Sequence, residues 1–186
     1  MRVIAGKARG KRIDLPSKLS FRPTSDRARE TLYNIISGHI EGAVFLDCFA
    51  GSGAVGLEAA SRGAAKVYAV ERYRRNCSII KGNFASTGLN DRLQLICNDY
   101  KKALRKLHIE GQTFDIMFFD PPYFAGIYRS VLNLLYQYKS IASGLIILEH
   151  YKTTETGFSE NFSRVKLSKV GDTHFSFLRI IDDEKD

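Results

Sequence analysis

A chain of 186 residues with 44% hydrophobic content has the length and apolar material for one domain with a sizeable core, and it shows no low-complexity segment or internal repeat. Its apolar runs are too short to cross a bilayer, and the residues after Met1 lack the apolar stretch of an export signal, so a cytoplasmic protein is expected. The net charge of +8 is uneven: residues 1–30 carry nine Lys/Arg against three acids, residues 62–106 carry eleven against three, and the rest is slightly acidic. Two basic blocks on such a body point to phosphate contact.

In chain order, residues 2–5 and 11–15 read as a hairpin around Gly6–Gly10. Thr24 or Ser25 is placed to cap a helix over 25–38, with Ala28, Leu32, Ile35 and Ile36 on one face. Strands and helices then alternate: strand 43–48, helix 54–62, strand 66–71, helix 73–86, strand 93–97, helix 100–107, strand 114–119, helix 126–138 and strand 144–149. Segments 162–170 and 174–181 read as a terminal hairpin turning at Gly171-Asp172. This alternation predicts a three-layer α/β fold around a mostly parallel sheet. The cysteines Cys48, Cys77 and Cys97 form no C-x-x-C pair and are expected as reduced thiols; metal-ligand spacing is absent.

Two strand ends carry the chemistry. The first strand runs into Asp47-Cys48-Phe49-Ala50-Gly51-Ser52-Gly53-Ala54-Val55-Gly56 and then a helix. Glycines at such a turn let backbone approach a ligand closely, and the helix N-terminus adds oriented N–H groups. Glu71 closes the second strand 24 positions after Asp47, where a carboxylate suits ribose hydroxyls. Residues 51–56 also satisfy G-x-G-x-x-G, the dinucleotide fingerprint. Asp47 argues against it, because an acid beside the turn repels a pyrophosphate and favours a cationic or amine-bearing ligand such as a methionine moiety.

The fourth strand leads into Asp120-Pro121-Pro122-Tyr123. Each proline fixes its own φ and extends the residue before it, giving a stiff turn with free carbonyls. A carboxylate at one end and a ring at the other suit a planar base with an exocyclic NH2: Asp120 and a proline carbonyl accept its two N–H bonds while Tyr123 stacks on its face. In an open α/β sheet the first and fourth strand ends meet at one rim, which brings Asp47 and Asp120 into one cleft although they lie 73 positions apart. Asn98-Asp99-Tyr100 closes the third strand, where Asn98 or Asp99 also suits a helix N-cap.

Together these motifs resemble a class I methyltransferase that uses S-adenosylmethionine, in the form that modifies exocyclic amines of nucleobases. The stretches Met1-Arg2-Val3-Ile4-Ala5-Gly6-Lys7-Ala8-Arg9-Gly10 and Phe21-Arg22-Pro23-Thr24-Ser25-Asp26-Arg27-Ala28-Arg29-Glu30-Thr31-Leu32 are similar to the bacterial RsmD family of 16S rRNA guanine-N2 methyltransferases. The resemblance implies a Rossmann-like, seven-stranded sheet with an antiparallel C-terminal edge. It implies one domain, with residues 1–40 as an RNA-facing extension and 41–186 as the catalytic core. Asp120, Pro121, Pro122 and Tyr123 would be catalytic. Asp47, Phe49, Ala50, Gly51, Gly53, Glu71, Arg72, Asn98, Asp99 and Tyr100 would hold the cofactor, the acid near 99 reaching the adenine amine. Arg2, Lys7, Arg9, Gly10, Arg22, Thr24, Arg27 and Arg29 would face RNA. The implied partner is 16S rRNA within the small ribosomal subunit or its assembly intermediate, met by a monomer without metal. A DNA adenine-N6 or protein amide methyltransferase and a non-catalytic RNA-binding assembly factor are the alternatives. His150 and His174 read as structural.

Overall fold

The computed structural model describes residues 1–16, 24–122, 126–154, 156–157 and 159–181. Helices α1 (Asp26–Ile35) and α2 (Ser37–Ile40) precede β1 (Val44–Cys48), α3 (Ala54–Ser61), β2 (Lys66–Glu71), α4 (Arg74–Thr87), β3 (Leu93–Cys97) and α5 (Tyr100–Ile109). Then follow β4 (Phe114–Phe119), α6 (Ile127–Gln137), β5 (Ala142–Tyr151), β6 (Phe162–Val170) and β7 (Thr173–Ile180). The seven strands lie in the order β3-β2-β1-β4-β5-β7-β6. The first five are mutually parallel, and β7 pairs antiparallel with both β5 and β6. This is the Rossmann-like class I methyltransferase fold with its antiparallel edge.

The central strands are apolar on both faces because both faces are covered. One face, with Phe45, Val67, Ile116, Phe118 and Ile147, packs under α1, α3 and α4. The other, with Leu46, Met117, Phe119 and Leu148, packs under α5 and α6. The outer strand β6 carries Arg164, Lys166 and Lys169, charges that discourage pairing with another chain.

Three expectations are corrected. The N-terminal hairpin is shorter than expected: its arms pair at one antiparallel bridge, Arg2 to Arg12, flanked by the Val3 N–H donating to the Lys11 carbonyl at 2.9 Å and the Ile13 N–H to the Met1 carbonyl at 3.0 Å. Its backbone bonds go partly to α3 instead: the Lys7 N–H donates to the Ser61 carbonyl at 2.8 Å. The helix expected over 25–38 stops at Ile35, because Ile36 leaves helical geometry at ψ 10° before α2 begins. Finally, Cys77 at the start of α4 and Cys97 at the end of β3 form a disulfide, with Cα atoms 6.1 Å apart; Cys48 is a free, buried thiol.

The N-terminal segment is built onto α3 by two of that helix's polar side chains. Glu58 is buried and accepts the backbone N–H groups of Ile4 at 2.8 Å and Ala5 at 2.9 Å. The Ser61 hydroxyl donates to the Ala5 carbonyl and accepts the Ala8 N–H at 3.0 Å. Asn83 on α4 then ties Asp14 to the loop before α3, donating to the carbonyls of Asp14 at 3.0 Å and Ser52 at 2.9 Å.

Candidate active site

The C-terminal ends of β1, β2, β3 and β4 open onto a cleft of roughly 470 Å³. Ligands bind at this rim of open α/β sheets. Asp47, Phe49, Ala50, Gly51, Glu71, Arg72, Asn98, Asp99, Tyr100, Asp120 and Pro122 all line it, together with Thr24. Gly53 and Pro121 adjoin lining residues without lining the cleft themselves. Gly53 begins α3 in the left-handed region at φ 75°, where an added Cβ would sit 3.1 Å from Ile80. Pro121 is buried. Tyr123 lies outside the described residues.

The glycine loop is shaped by two carboxylates. Asp47 is 1% exposed, and its Oδ2 accepts the Gly56 N–H at 2.8 Å, which pins the first turn of α3 to β1. Glu71 accepts the Gly51 N–H on Oε2 at 2.9 Å and the Tyr73 N–H on Oε1 at 2.8 Å. Both Glu71 oxygens are thus fixed at the cleft wall with lone pairs to spare. Phe49 takes a positive φ of 69°, and its ring meets that of Tyr100 at 5.0 Å between centroids. Asp99 caps α5 by accepting the Lys101 N–H at 2.9 Å, and Asn98 Oδ1 accepts the Asp99 N–H at 2.9 Å.

Three acids on this rim hold protons unusually tightly. Burial pushes Asp47 up to about 7; the Gly56 N–H works against this and the Glu71 charge adds to it. Burial also raises Asp120 well above the ordinary carboxylate range, with Glu149 and Asp47 adding repulsion. Glu149 rises to about 7, again through burial, although the Thr24 hydroxyl bonded to it pulls the other way. A cluster of acids that resists ionisation is suited to a cation, whose charge favours the carboxylate form.

The basic residues divide. Arg2, Lys7, Arg9, Gly10 and Arg27 are exposed. Arg2 also braces its own loop by donating to the Gly10 carbonyl at 2.8 Å. Arg22 lies outside the described residues. Thr24 sits on the cleft wall, 8% exposed, and donates to Glu149 Oε2 at 2.7 Å. Arg29 is corrected: it is fully buried, where its Nη2 donates to the Arg2 carbonyl at 2.7 Å and to Asp26 at 3.0 Å. It holds α1 against the N-terminal loop and offers no surface to a partner.

Sequence reasoning missed Leu15, Pro16, Tyr73, Arg75, Asn76 and Ile127, which also line the cleft. Tyr73 and Asn76 lie just beyond the acid that closes β2, a signal available in sequence. Leu15 and Pro16 carried none, because their place depends on Asn83 holding the neighbouring Asp14. Glu149 was passed over because it reads as the last residue of an apolar strand.

A family described as Conserved hypothetical protein 95 matches residues 1–179. The Escherichia coli K12 protein named Ribosomal RNA small subunit methyltransferase D is 38% identical over 135 residues, 73% of this chain and 66% of its own length. YlbH of Bacillus subtilis is 33% identical over 156 residues, covering 83% of this chain and 85% of its own. Among solved structures, yhhF from Escherichia coli superposes with a TM-score of 0.82 at 31% identity, over 97% of both chains. With the match running through the N-terminal loop, the glycine turn and the rim acids, the chain belongs to the Conserved hypothetical protein 95 family, the RsmD family.

Proposed function

We propose that this protein transfers a methyl group from S-adenosylmethionine to the exocyclic N2 amine of a guanine in 16S rRNA. The observation that carries the reading is the joining of two strand ends in one cleft: the Glu71-braced glycine loop on one side, and Asp120 with Pro122 on the other. Relatives named for small-subunit rRNA methylation support the substrate class.

The residues present fit the cofactor. Glu71 offers carboxylate oxygens to ribose hydroxyls, Asp99 and its neighbours face the adenine side, and the Phe49 and Tyr100 rings supply an apolar wall. An added Cβ at Gly51 would meet no atom within 4 Å, so backbone there stands open for close approach. When bound, S-adenosylmethionine supplies an already activated methyl on a sulfonium. The acids Asp47 and Asp120 give that positive charge a complementary wall.

The protein's own task is the nucleophile. An aromatic amine delocalises its lone pair into the ring. Asp120 and the Pro121 carbonyl accept the two N–H bonds and turn the lone pair toward the methyl. Positive charge growing on nitrogen is stabilised by the Asp120 carboxylate. Holding both reactants in line supplies an effective molarity on the order of 10⁵ M or more. The guanine must leave its stack to reach the cleft, and Tyr123 is assigned to hold it. Residues 1–40 form the RNA-facing part, with Arg2, Lys7, Arg9 and Arg27 contacting phosphate within a small-subunit particle. Phosphate contacts position RNA but do not read its sequence, so the particle supplies much of the specificity.

The test is methyl transfer from isotope-labelled S-adenosylmethionine to small ribosomal subunits lacking this modification, followed by digestion to nucleosides. Label in N2-methylguanosine is expected. Label in N6-methyladenosine or in protein would overturn the substrate while retaining the chemistry.

A further inference from the structure

Glu149 is a buried acid with no part in the mechanism above. It is 2% exposed near the end of β5. Parallel pairing of β4 with β5 sets Phe119 beside Leu148, so the next positions along the rim are Asp120 and Glu149. Strand alternation places Glu149 on the sheet face of Ile147 and Phe118, and Phe118 is in register with Asp47. Three acids therefore share one face at one end of the sheet.

Among the described residues, few groups surround Glu149. Thr24 donates to its Oε2 at 2.7 Å, and the Tyr128 hydroxyl on α6 donates to its backbone carbonyl at 2.9 Å. Its neighbour across β7 is the apolar Phe175. His150, paired with His174, follows on the opposite face. Among the described residues, the charges that face Glu149 are those of Asp120 and Asp47. An apolar side chain would close this position at lower cost, since a buried carboxyl carries a desolvation penalty. Two carboxyls at adjacent register positions in such a place do not both ionise readily, so one of them keeps a proton.

We propose that Glu149 is a positioning residue for methyl transfer, sharing one proton with Asp120 and so setting the pH at which Asp120 becomes the charged acceptor of the amine, an inference that rests on Asp120 acting on an amine. With Glu149 ionised, Asp120 keeps the proton and accepts poorly. When an amine presents its N–H groups, the proton moves to Glu149 and the charge to Asp120. The amine nitrogen then forms its bond to the methyl carbon, the methyl–sulfur bond breaks with its electron pair left on sulfur, and one N–H proton passes to Asp120. The neutral pair returns one proton to water when product leaves. Thr24 stabilises the ionised form of Glu149 and keeps the exchange balanced.

The test needs no RNA in its first arm. Carboxyl-¹³C NMR titration of the full-length protein, with Asp120 assigned through Asp120→Asn, follows both acids directly. In Glu149→Gln the Asp120 step moves to lower pH. Thr24→Val, a milder change, moves the Glu149 step up and the Asp120 step down. In the second arm, the acidic limb of the kcat–pH profile for methyl transfer moves to lower pH by about one pH unit in Glu149→Gln. It stays near its wild-type position in Glu149→Asp, which keeps the charge. An Asp120 titration unchanged in both Glu149→Gln and Thr24→Val would overturn the proposal. Wild-type protein that transfers no methyl would instead remove the functional reading, leaving the titration to decide the coupling alone.

Discussion

The Asp47 carboxylate and the Gly56 N–H meet at 2.8 Å, and this hydrogen bond joins the first strand to the first turn of the helix behind the glycine loop. There is no room for a side chain between them. A Cβ added at Gly56 would lie 2.8 Å from Val67 Cγ1 and 3.1 Å from Asp47 Oδ2. Gly56→Ala gains helix propensity but pushes α3 off the sheet. The expected net loss is about 1–2 kcal/mol of stability in chemical denaturation. Cofactor affinity by calorimetry should fall with it; unchanged affinity would mean the loop does not depend on this hydrogen bond.

The pH dependence of stability follows from the same carboxylate. Asp47 is raised from 3.8 to about 7, so between those values the folded protein binds its proton more tightly than the unfolded chain does. Stability from this group is therefore fully present below the unfolded value and is lost as pH rises toward 7, by on the order of a few kcal/mol. Asp47→Asn keeps an acceptor for Gly56 and removes the titration. Its thermal midpoint should change less than that of wild type between pH 5 and pH 8. Parallel curves for the two proteins would count against a buried, proton-holding Asp47.

Gly6 probes the docking of the N-terminal segment. It has φ +80°, and a Cβ there would fall on the Ser61 carbonyl oxygen. The backbone conformation alone costs an L-residue about 1–2 kcal/mol. Gly6→Ala should lift the loop from α3, lower stability by more than that figure, and weaken binding to small-subunit particles. Denaturation together with particle co-sedimentation measures both effects; full particle binding would show that the loop is not an RNA surface.

The basic surface makes a salt prediction. Removing one cation that pairs with a phosphate reduces the slope of log K against log salt by about 0.7–0.9. Lys7→Ala and Arg9→Ala are each expected to flatten the slope by that amount while leaving affinity for S-adenosylmethionine unchanged. Arg29→Ala should act differently, because Arg29 is buried and braces Arg2. Its defect should appear in thermal stability.

Much of this was legible in the sequence, for a physical reason. Strands β2, β3 and β4 matched their expected limits because an apolar run bounded by charges or glycine leaves little choice of register. Strand-end acids marked the cleft because a parallel sheet gathers those ends whatever their separation along the chain. What depended on long-range docking was not legible. The hairpin expected at the N-terminus keeps one bridge, and Glu58 and Ser61 take up backbone groups of the turn beyond it. Arg29 read as a surface charge because nothing in α1 announces that its guanidinium is covered. The Cys77–Cys97 disulfide joins residues whose proximity arises only after α4 packs beside β3.

Asp120 is proposed to act on an amine of rRNA in the same cleft that is proposed to hold the cofactor. The most direct measurement is labelled methyl transfer to unmodified small subunits by wild type and Asp120→Ala, read as nucleosides, with cofactor affinity of both proteins measured alongside. N2-methylguanosine is expected with wild type, its loss with Asp120→Ala, and nearly equal cofactor affinity for the two. Transfer that persists in Asp120→Ala, or cofactor binding that collapses together with it, would contradict the role given to this carboxylate.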